Sequence, residues 1–435
     1  MKRKKYDFFV YIVSFFLLVI ISYFMTSLTR DEIWNYGFSY NMAHGMIPYK
    51  DFNMVVGPFY NFLIAIFLPL FKNHIFFFFF LNGLLFSLFL IPISRKIGNS
   101  YLYLIFFLGI LPIVFNYNTF VAFLCIFILI LEENSSKYQP WMIGLLLSFI
   151  FMTKQNIGIL FLIVTLFTSK NKKEIFVSFL IPCLIFFVIL LYQENLFNYI
   201  DFCYFGLGNF LDNFSCSIPF LLIEILILLL LGRKFLLTKD SKLLYLIFFQ
   251  TMAFPIVDNN HVFIGLLPVL YYVLSTYEKR NYLIIGKRLL VVSFIVVFLK
   301  GFPFTYTRVD SFISYRRVNP GFDSYFLNIT NYVKQKEKEG HVYLLMSNAY
   351  LIRLALLETP SFYDLINQGN LGSHKEKYLT QIEKTCQKEK CLFILDSDYF
   401  SEKQEKPNDL AFKGFILENY QYLETLPSKD QVYIN

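Results

Sequence analysis

The sequence has few charged residues for its length, and this scarcity excludes several classes of protein. Asp, Glu, Lys and Arg make up 16% of the 435 residues, whereas soluble globular chains carry about 25%. The six cysteines form no Cys-x-x-Cys pair and no Cys/His pattern with metal-ligand spacing, which disfavours a structural zinc site. The net charge of +8 lies largely in short segments between apolar runs. A soluble enzyme and a nucleic-acid-binding protein are therefore not expected, and nucleic acid is not among the predicted partners.

What the sequence does contain is apolar residues, at 56% of the chain, with a mean hydropathy of +0.52. This composition is typical of a polytopic α-helical membrane protein. Counting the runs predicts about eleven membrane spans, some of which must extend into neighbouring residues to cross a bilayer core of about 30 Å. They lie at 8–28, 75–93, 100–115, 118–131, 141–152, 156–168, 175–192, 218–231, 243–257, 262–276 and 289–303.

The distribution of basic residues predicts the orientation of these spans. The run 59–71 is short and bracketed by Pro58 and Pro69, so we interpret it as an interfacial or re-entrant helix of the first outer loop. With that assignment, Lys and Arg number 18 in inside segments and 4 in the outer loops before residue 304. Because inside loops of membrane proteins are rich in basic residues, we predict a multi-pass cell-membrane protein with a cytoplasmic N-terminus. The first span is expected to be retained.

The composition changes near residue 304, where charged residues and turn signals become frequent. We predict a transmembrane domain over 1–303, with its first outer loop at 29–74, and a small extracytoplasmic α/β domain over 304–435. The latter is expected to contain strands at 342–346 and 391–395, and helices at 334–340 and 374–390. The sequence leaves open whether Cys386 and Cys391 pair or remain as thiols.

Two adjacent carboxylates, Asp31 and Glu32, open the first outer loop. Acidic residues beside a bilayer are costly unless they are used, so one of them could act as a general base, or both could hold a metal ion. The alternative is a pair of acids at a helix N-terminus, capped by Thr29, that stabilises the helix dipole.

Three further basic groups on the outer side are candidate substrate contacts. Lys154, with Gln155 as a hydrogen-bonding companion, could contact a phosphate, or it could be a lysine that extends to the interface. His261 lies in a short Asp-Asn-Asn-His turn, where a solvated histidine is the alternative. Arg308 follows the last predicted span and could meet a phosphate or acidic lipid head groups, or belong to a solvated patch.

A first span, an acidic pair and a "G-x-x-P-Y-x-D-F…G-P" stretch together resemble integral-membrane glycosyltransferases of the GT-C superfamily. The similarity points to the bacterial group related to dolichyl-phosphate-mannose-protein mannosyltransferases. The matching residues are Asp31, Glu32, Gly45, Pro48, Tyr49, Asp51, Phe52, Gly57 and Pro58.

The resemblance implies a GT-C-like fold and a hexosyltransferase that takes sugar from a polyprenyl-phosphate carrier. It implies a catalytic carboxylate at Asp31, or else Glu32, and substrate contacts in the segment Tyr49, Lys50 and Asp51. The implied acceptor is a lipid, a glycan or a protein. Some members of the superfamily use a divalent cation such as Mg²⁺ or Mn²⁺, and here Asp31 and Glu32 would be its ligands.

Two other classes of protein remain as alternatives. A transporter or flippase of lipid-linked sugars would show internal symmetry and charged residues inside its spans, and neither is expected from this sequence. A polysaccharide polymerase or ligase also uses lipid-linked sugars, but it would centre on a large outer loop in the later half of the chain. Here the acidic loop follows the first span.

Overall fold

A computed structural model describes residues 2–25, 30–71, 75–102, 104–105, 116–133, 136–205, 215–254, 256–277, 324–346, 349–361, 363–364, 375–396, 407–427 and 429–435. The α-helices within these ranges are α1 (Lys2–Met25), α2 (Arg30–Ala43), α3 (Phe59–Phe67), α4 (Ile75–Ile97), α5 (Tyr117–Glu132), α6 (Gln139–Thr153), α7 (Gln155–Thr168), α8 (Lys172–Tyr192), α9 (Leu196–Ile200), α10 (Ile218–Thr238), α11 (Lys242–Phe249), α12 (Asn259–Tyr277), α13 (Ser324–Lys336), α14 (Ala349–Ala355), α15 (Lys375–Cys386) and α16 (Pro407–Asn419). The strands are β1 (Ser215–Cys216), β2 (Ile256–Val257), β3 (His341–Leu345), β4 (Cys391–Leu395), β5 (Gln421–Thr425) and β6 (Gln431–Ile434).

The chain folds into two compact units. The first, here called the helical unit, comprises residues 1–27, 57–189 and 215–310. The second, called the mixed unit, comprises 28–56, 190–214 and 311–435. The part of the first outer loop before residue 57 and the loop after α8 therefore belong to the same compact unit as residues 311–435, whereas the rest of that outer loop belongs to the helical unit.

Most of the predicted apolar runs form helices of the helical unit, but one run ends early. The predicted span 243–257 is helical only as α11, which is followed by a 3₁₀ turn over Gln250–Ala253 and by β2. Phe254 is extended (φ −107°, ψ 145°), because the ring of a following proline disfavours helical backbone in the residue before it. The run 289–303 and most of 100–115 lie outside the described residues.

The length and composition of a helix determine whether it could cross a membrane. Among the described residues, two helical segments are long and apolar enough to cross a bilayer, Phe77–Ile97 and Lys172–Tyr192, by length and composition alone. Helix α3 has nine residues, or about 14 Å, and continues into a 3₁₀ turn over Leu68–Phe71. It is too short to span a bilayer core. The prediction of about eleven spans stays a prediction.

One end of the helical unit is held by ion pairs, and we call it the ion-paired end. The Arg95 guanidinium at the end of α4 donates to Asp7 of α1, with Nε 2.9 Å from Oδ1. Glu133, just beyond α5, pairs with Lys96 at 3.3 Å and with Lys242 at 3.0 Å. Helix α5 lies between this end and the opposite one. Asn118 and Glu133 are fifteen residues apart, which corresponds to about 22 Å along a helix.

The mixed unit contains a four-stranded sheet with the order β3-β4-β6-β5. Strands β3 and β4 are parallel, while β6 pairs antiparallel with both β4 and β5. The two strands predicted from sequence are thus confirmed, and the C-terminal hairpin was not predicted. The buried core is formed by apolar side chains of the sheet and its helices, including Ile329, Val333, Val342, Leu344, Ile352, Leu392, Ile394 and Val432.

The predicted helix at 334–340 is wrong in its position, because α13 begins earlier and ends at Lys336. The chain must turn before β3, and the backbone at Gly340 passes close to Lys390, the residue that precedes β4. A Cβ at Gly340 would lie 2.1 Å from the Lys390 carbonyl oxygen. Nearby, Cys386 and Cys391 form a disulfide that joins the end of α15 to β4, which settles the pairing that the sequence left open.

Helix α2 of the first outer loop packs on α14 within the mixed unit. The rings of Phe38 and Tyr350 meet edge to face with centroids 5.9 Å apart. The Asn41 side chain donates to the Pro360 carbonyl at 2.7 Å. A Cβ at Gly37 would lie 2.6 Å from the Tyr350 ring. The close approach at Gly37 and the buried hydrogen bond of Asn41 hold this helix to the C-terminal part of the unit.

Candidate functional site

The GT-C-like motif forms a tight loop after α2. Its turn needs left-handed backbone at two residues, Gly45 (φ 82°) and Tyr49 (φ 67°). The Asp51 carboxylate accepts a hydrogen bond from the Ile47 N–H at 2.7 Å, and the Tyr49 N–H donates to the Phe52 carbonyl at 2.8 Å. Asp51 therefore closes the loop on itself, which is a structural role beside the predicted one.

Tyr49 anchors this loop in the mixed unit. Its side chain is buried, and its hydroxyl donates to the Val56 carbonyl at 2.6 Å. The ring meets Tyr199 of α9 with centroids 5.2 Å apart. Burial, with the neighbouring Cys203 and Tyr199, raises the pKa of Tyr49 well above its usual value, so the phenol remains neutral. Lys50 is exposed at the loop surface. Substrate binding by Tyr49, Lys50 and Asp51 stays a prediction.

Gly57, the motif residue with which this part of the helical unit begins, contacts the backbone just before Lys154. The Gly57 N–H donates to the Thr153 carbonyl at 3.0 Å. A Cβ at Gly57 would lie only 1.9 Å from the Met152 carbonyl oxygen. Only glycine permits this approach, so the motif residue Gly57 rests on the peptide that leads into Lys154.

Lys154 is the single residue that separates α6 from α7. Its backbone is extended (φ −142°, ψ 92°), so the helical path breaks there. Its Nζ donates to Asn118 Oδ1 at 2.8 Å and lies 5.9 Å from the centre of the Tyr117 ring. The ammonium is thereby directed to the N-terminus of α5. Gln155 begins α7 and is buried, and its predicted companion role stays a prediction.

Two buried asparagines begin α5 at this point. The side chain of Asn116 caps the helix, because its Oδ1 accepts from the backbone N–H groups of Asn118 (2.9 Å) and Thr119 (3.2 Å). Asn116 and Asn118 are both fully buried. The Nδ2 atom of each has no hydrogen-bond partner within the part of the chain that the structure describes. Neither asparagine was among the predicted site residues.

His261 lies in the first turn of α12 and is oriented by Asp258. Oδ1 of Asp258 accepts from the His261 backbone N–H at 2.9 Å and lies 2.8 Å from its Nδ1. Although partial burial raises the pKa of Asp258, the hydrogen bonds and charge of His261 outweigh it and the pKa is lowered. A carboxylate that binds one ring nitrogen fixes the orientation of the imidazole. Asp258 was not predicted as a site residue.

His261 and Lys154 lie toward the same end of the helical unit. Helix α12 packs along α5, and near its C-terminus the Tyr272 hydroxyl donates to Asp240 at 2.8 Å. Asp240 in turn accepts from the backbone N–H of Lys242, whose ammonium pairs with Glu133. The C-terminal ends of both helices therefore meet at the ion-paired end, and their N-terminal ends, with His261 and Asn118, point away from it.

The other predicted site residues have less structural description. Asp31 and Glu32 lie in the first turn of α2, in the mixed unit, and their role as base or metal ligands stays a prediction. Arg308 lies outside the described residues. Among the side chains that are described, no three of His, Cys, Asp or Glu gather in a metal-binding arrangement.

The chain is similar in structure to the archaeal oligosaccharyltransferase AglB from Archaeoglobus fulgidus, solved in complex with an inhibitory peptide and a dolichol-phosphate. The two share 11% sequence identity and a TM-score of 0.49, over 99% of this chain and 74% of the other. No family model and no curated protein matches the chain. Similarity at this level assigns no activity to the chain.

Proposed function

We propose that the chain is an integral-membrane glycosyltransferase. It would move a hexose-type sugar from a polyprenyl-phosphate-linked donor to a lipid, glycan or protein acceptor on the outer face of the membrane. The observation that carries the proposal is the arrangement around Lys154. Its ammonium is held by Asn118 at a helix N-terminus, and the motif residue Gly57 rests on the peptide before it. A fixed cation at the end of an apolar bundle suits the phosphate of a lipid.

The membrane placement is supported by the two ends of the helical unit. Arg95, Lys96 and Lys242, which the charge distribution assigns to the cytoplasmic side, lie at the ion-paired end. Lys154 lies toward the other end, about 22 Å away along α5, which we assign to the outer side. The disulfide Cys386–Cys391 suits an oxidising compartment, in agreement with an extracytoplasmic domain over 304–435.

In the proposed reaction, the acceptor hydroxyl oxygen attacks the anomeric carbon of the sugar. The bond from that carbon to the phosphate oxygen breaks, and its electron pair leaves with the lipid phosphate, so the anomeric configuration inverts. Asp31 takes the hydroxyl proton as the general base, with Glu32 as the alternative. Lys154 offsets the charge on the departing phosphate, and His261 is a second candidate for that role. A divalent cation, if bound by Asp31 and Glu32, would add charge stabilisation.

The test is transfer of a radiolabelled sugar from polyprenyl phosphate by the purified protein in liposomes. Asp31→Asn should abolish transfer while the protein stays folded and inserted, because the amide cannot take the proton. Sugar transfer by Glu32→Gln, compared with that by Asp31→Asn, shows which of the two acids is the general base. Glu174→Gln, an exposed acid at the start of α8, is the matched control and should transfer normally. Near-normal turnover by Asp31→Asn would remove it as the base.

A transporter of lipid-linked sugars is the second candidate, and one observation favours it. Contrary to the expectation from sequence, an acid is buried inside a predicted span. Glu224 of α10 is fully buried, and neither of its carboxyl oxygens has a hydrogen-bond partner among the described residues. Buried acids within spans are typical of transport pathways. A transporter would move the intact lipid-linked sugar and leave the sugar–phosphate bond unbroken.

A further inference from the structure

We propose that Asn116 and Asn118, together with Lys154, bind the phosphate group of the lipid-linked donor. This inference rests on the proposed function for the identity of the lipid. The phosphate site itself rests on the geometry at the N-terminus of α5. Lys154 was predicted from the sequence to contact a phosphate, and the structure adds two buried amide side chains at the same helix N-terminus.

The orientation of both amides follows from their partners. A lysine ammonium can only donate hydrogen bonds, so the Asn118 atom that is 2.8 Å from Lys154 Nζ must be its oxygen. Backbone N–H groups also only donate, so the Asn116 atom that caps α5 must be its oxygen too. The NH₂ group of each side chain is therefore a donor, and neither has a partner among the described residues.

These donors lie close to the ammonium. The nitrogen and oxygen of one carboxamide are about 2.3 Å apart, from standard bond lengths. Asn118 Nδ2 therefore lies within about 5 Å of Lys154 Nζ, since the hydrogen bond between Asn118 Oδ1 and Nζ is 2.8 Å long. One tetrahedral phosphate can accept hydrogen bonds from two donors at that separation. Asn116 lies at the same helix N-terminus, where its side-chain oxygen accepts a hydrogen bond from the backbone N–H of Asn118.

The chemistry of this cluster selects an anion. It presents the ammonium of Lys154 and the NH₂ groups of two fully buried asparagines. The sixteen-residue helix α5 adds the positive end of its dipole. Buried donors without acceptors are unfavourable, and an oxygen-rich anion satisfies them all. A neutral hydroxyl could accept one of these hydrogen bonds, but it carries no negative charge to interact favourably with the ammonium and the helix dipole.

Isosteric variants separate the donor role from the structural one. Asn118→Asp keeps an oxygen for Lys154 but replaces the NH₂ donor by a second oxygen and adds a negative charge. Asn116→Asp likewise keeps the helix cap. Asn116→Ser also keeps the cap and removes the NH₂ group without adding charge. The control is Asn171→Asp, the same change at an exposed residue that precedes α8.

The experiment is a titration of the purified full-length protein in detergent with undecaprenyl phosphate, uncharged polyprenol and inorganic phosphate. Wild type and Asn171→Asp should bind undecaprenyl phosphate and not polyprenol. Asn118→Asp and Asn116→Asp should weaken that binding by tenfold or more, and Asn116→Ser by about tenfold, as expected for loss of a hydrogen bond to a charged group. Competition by inorganic phosphate would show that the head group alone is recognised, while its failure to compete would show that the lipid chain is also needed.

Folding is checked by melting temperature in the same samples. If the Asp variants do not fold, Asn116→Ser decides the outcome. Unchanged affinity for undecaprenyl phosphate in folded variants would overturn the inference. The KM for the donor distinguishes a failure of the phosphate site from a failure of the proposed glycosyltransferase function. Sugar transfer with an unaltered donor KM in Asn118→Asp would refute the phosphate site alone. Selective binding without transfer by wild type would refute the glycosyltransferase and leave the site standing.

Discussion

Replacing Gly57 by alanine should disturb its contact with the peptide that precedes Lys154. The new Cβ would lie 1.9 Å from the Met152 carbonyl oxygen, so the two backbones must separate by about 1.5 Å to reach the 3.4 Å of an ordinary contact. Overpacking of this kind costs about 1–3 kcal/mol. The same separation breaks the hydrogen bond from the Gly57 N–H to Thr153, which adds about 1 kcal/mol. We expect the free energy of unfolding to fall by about 2–4 kcal/mol.

The assay is thermal unfolding of the purified protein in detergent, followed by the donor KM in the transfer reaction. Gly57→Ala should lower the melting temperature by several degrees and raise the donor KM, because Lys154 follows the displaced peptide. Gly232→Ala is the matched control, since a Cβ there meets nothing within 4 Å. Alanine in a helix is more favourable than glycine, so that variant should melt at or above the wild-type temperature. A wild-type melting temperature and KM in Gly57→Ala would show that the close approach at Gly57 neither stabilises the protein nor positions Lys154.

Three further predictions concern other parts of the chain. Glu224→Leu should raise the free energy of unfolding by about 1–3 kcal/mol, because it removes a buried carboxyl without partners; a lower melting temperature in detergent would contradict this. Asp258→Asn should destabilise the protein at neutral pH, with the difference from wild type shrinking in acid as the pH falls through the lowered pKa of Asp258. Melting curves across pH test it, and a difference that does not change with pH would refute it. Replacing Cys386 and Cys391 by serine should cost about 2 kcal/mol, from the short loop that the disulfide closes, and in the wild type neither should react with a maleimide before reduction.

The helices were predictable from sequence because their signals are local. Polar residues bracket the apolar runs, so Asn116 and Lys154 mark the boundaries of α5, α6 and α7 within one or two residues. The hairpin of β5 and β6 was missed because it lacks such a signal. All five side chains of β5 are exposed, so the strand has no alternating apolar pattern to reveal it.

The site was predicted in part. Lys154 was predicted because a lysine between two apolar runs is energetically costly. His261 was predicted because it lies in a short polar turn on the outer side. The contribution of Asn116 and Asn118 depends on which atoms their oxygens contact, which no sequence pattern shows. The burial of Tyr49 was also beyond the sequence, because its partner Tyr199 lies 150 residues further along the chain. Glu224 shows the same limit, since its lack of a partner is visible only once the helices are packed.

The most direct test of the glycosyltransferase follows both halves of the donor. The donor is a polyprenyl-phosphate-linked sugar with one label on its sugar and a second label on its lipid. It is supplied to the purified protein in liposomes, together with a crude acceptor fraction. If the protein is a glycosyltransferase, free polyprenyl phosphate should appear in an amount equal to the sugar gained by the acceptor, and Asp31→Asn should stop both. Movement of the intact donor across the bilayer, with no free polyprenyl phosphate, would contradict glycosyl transfer and support the transporter.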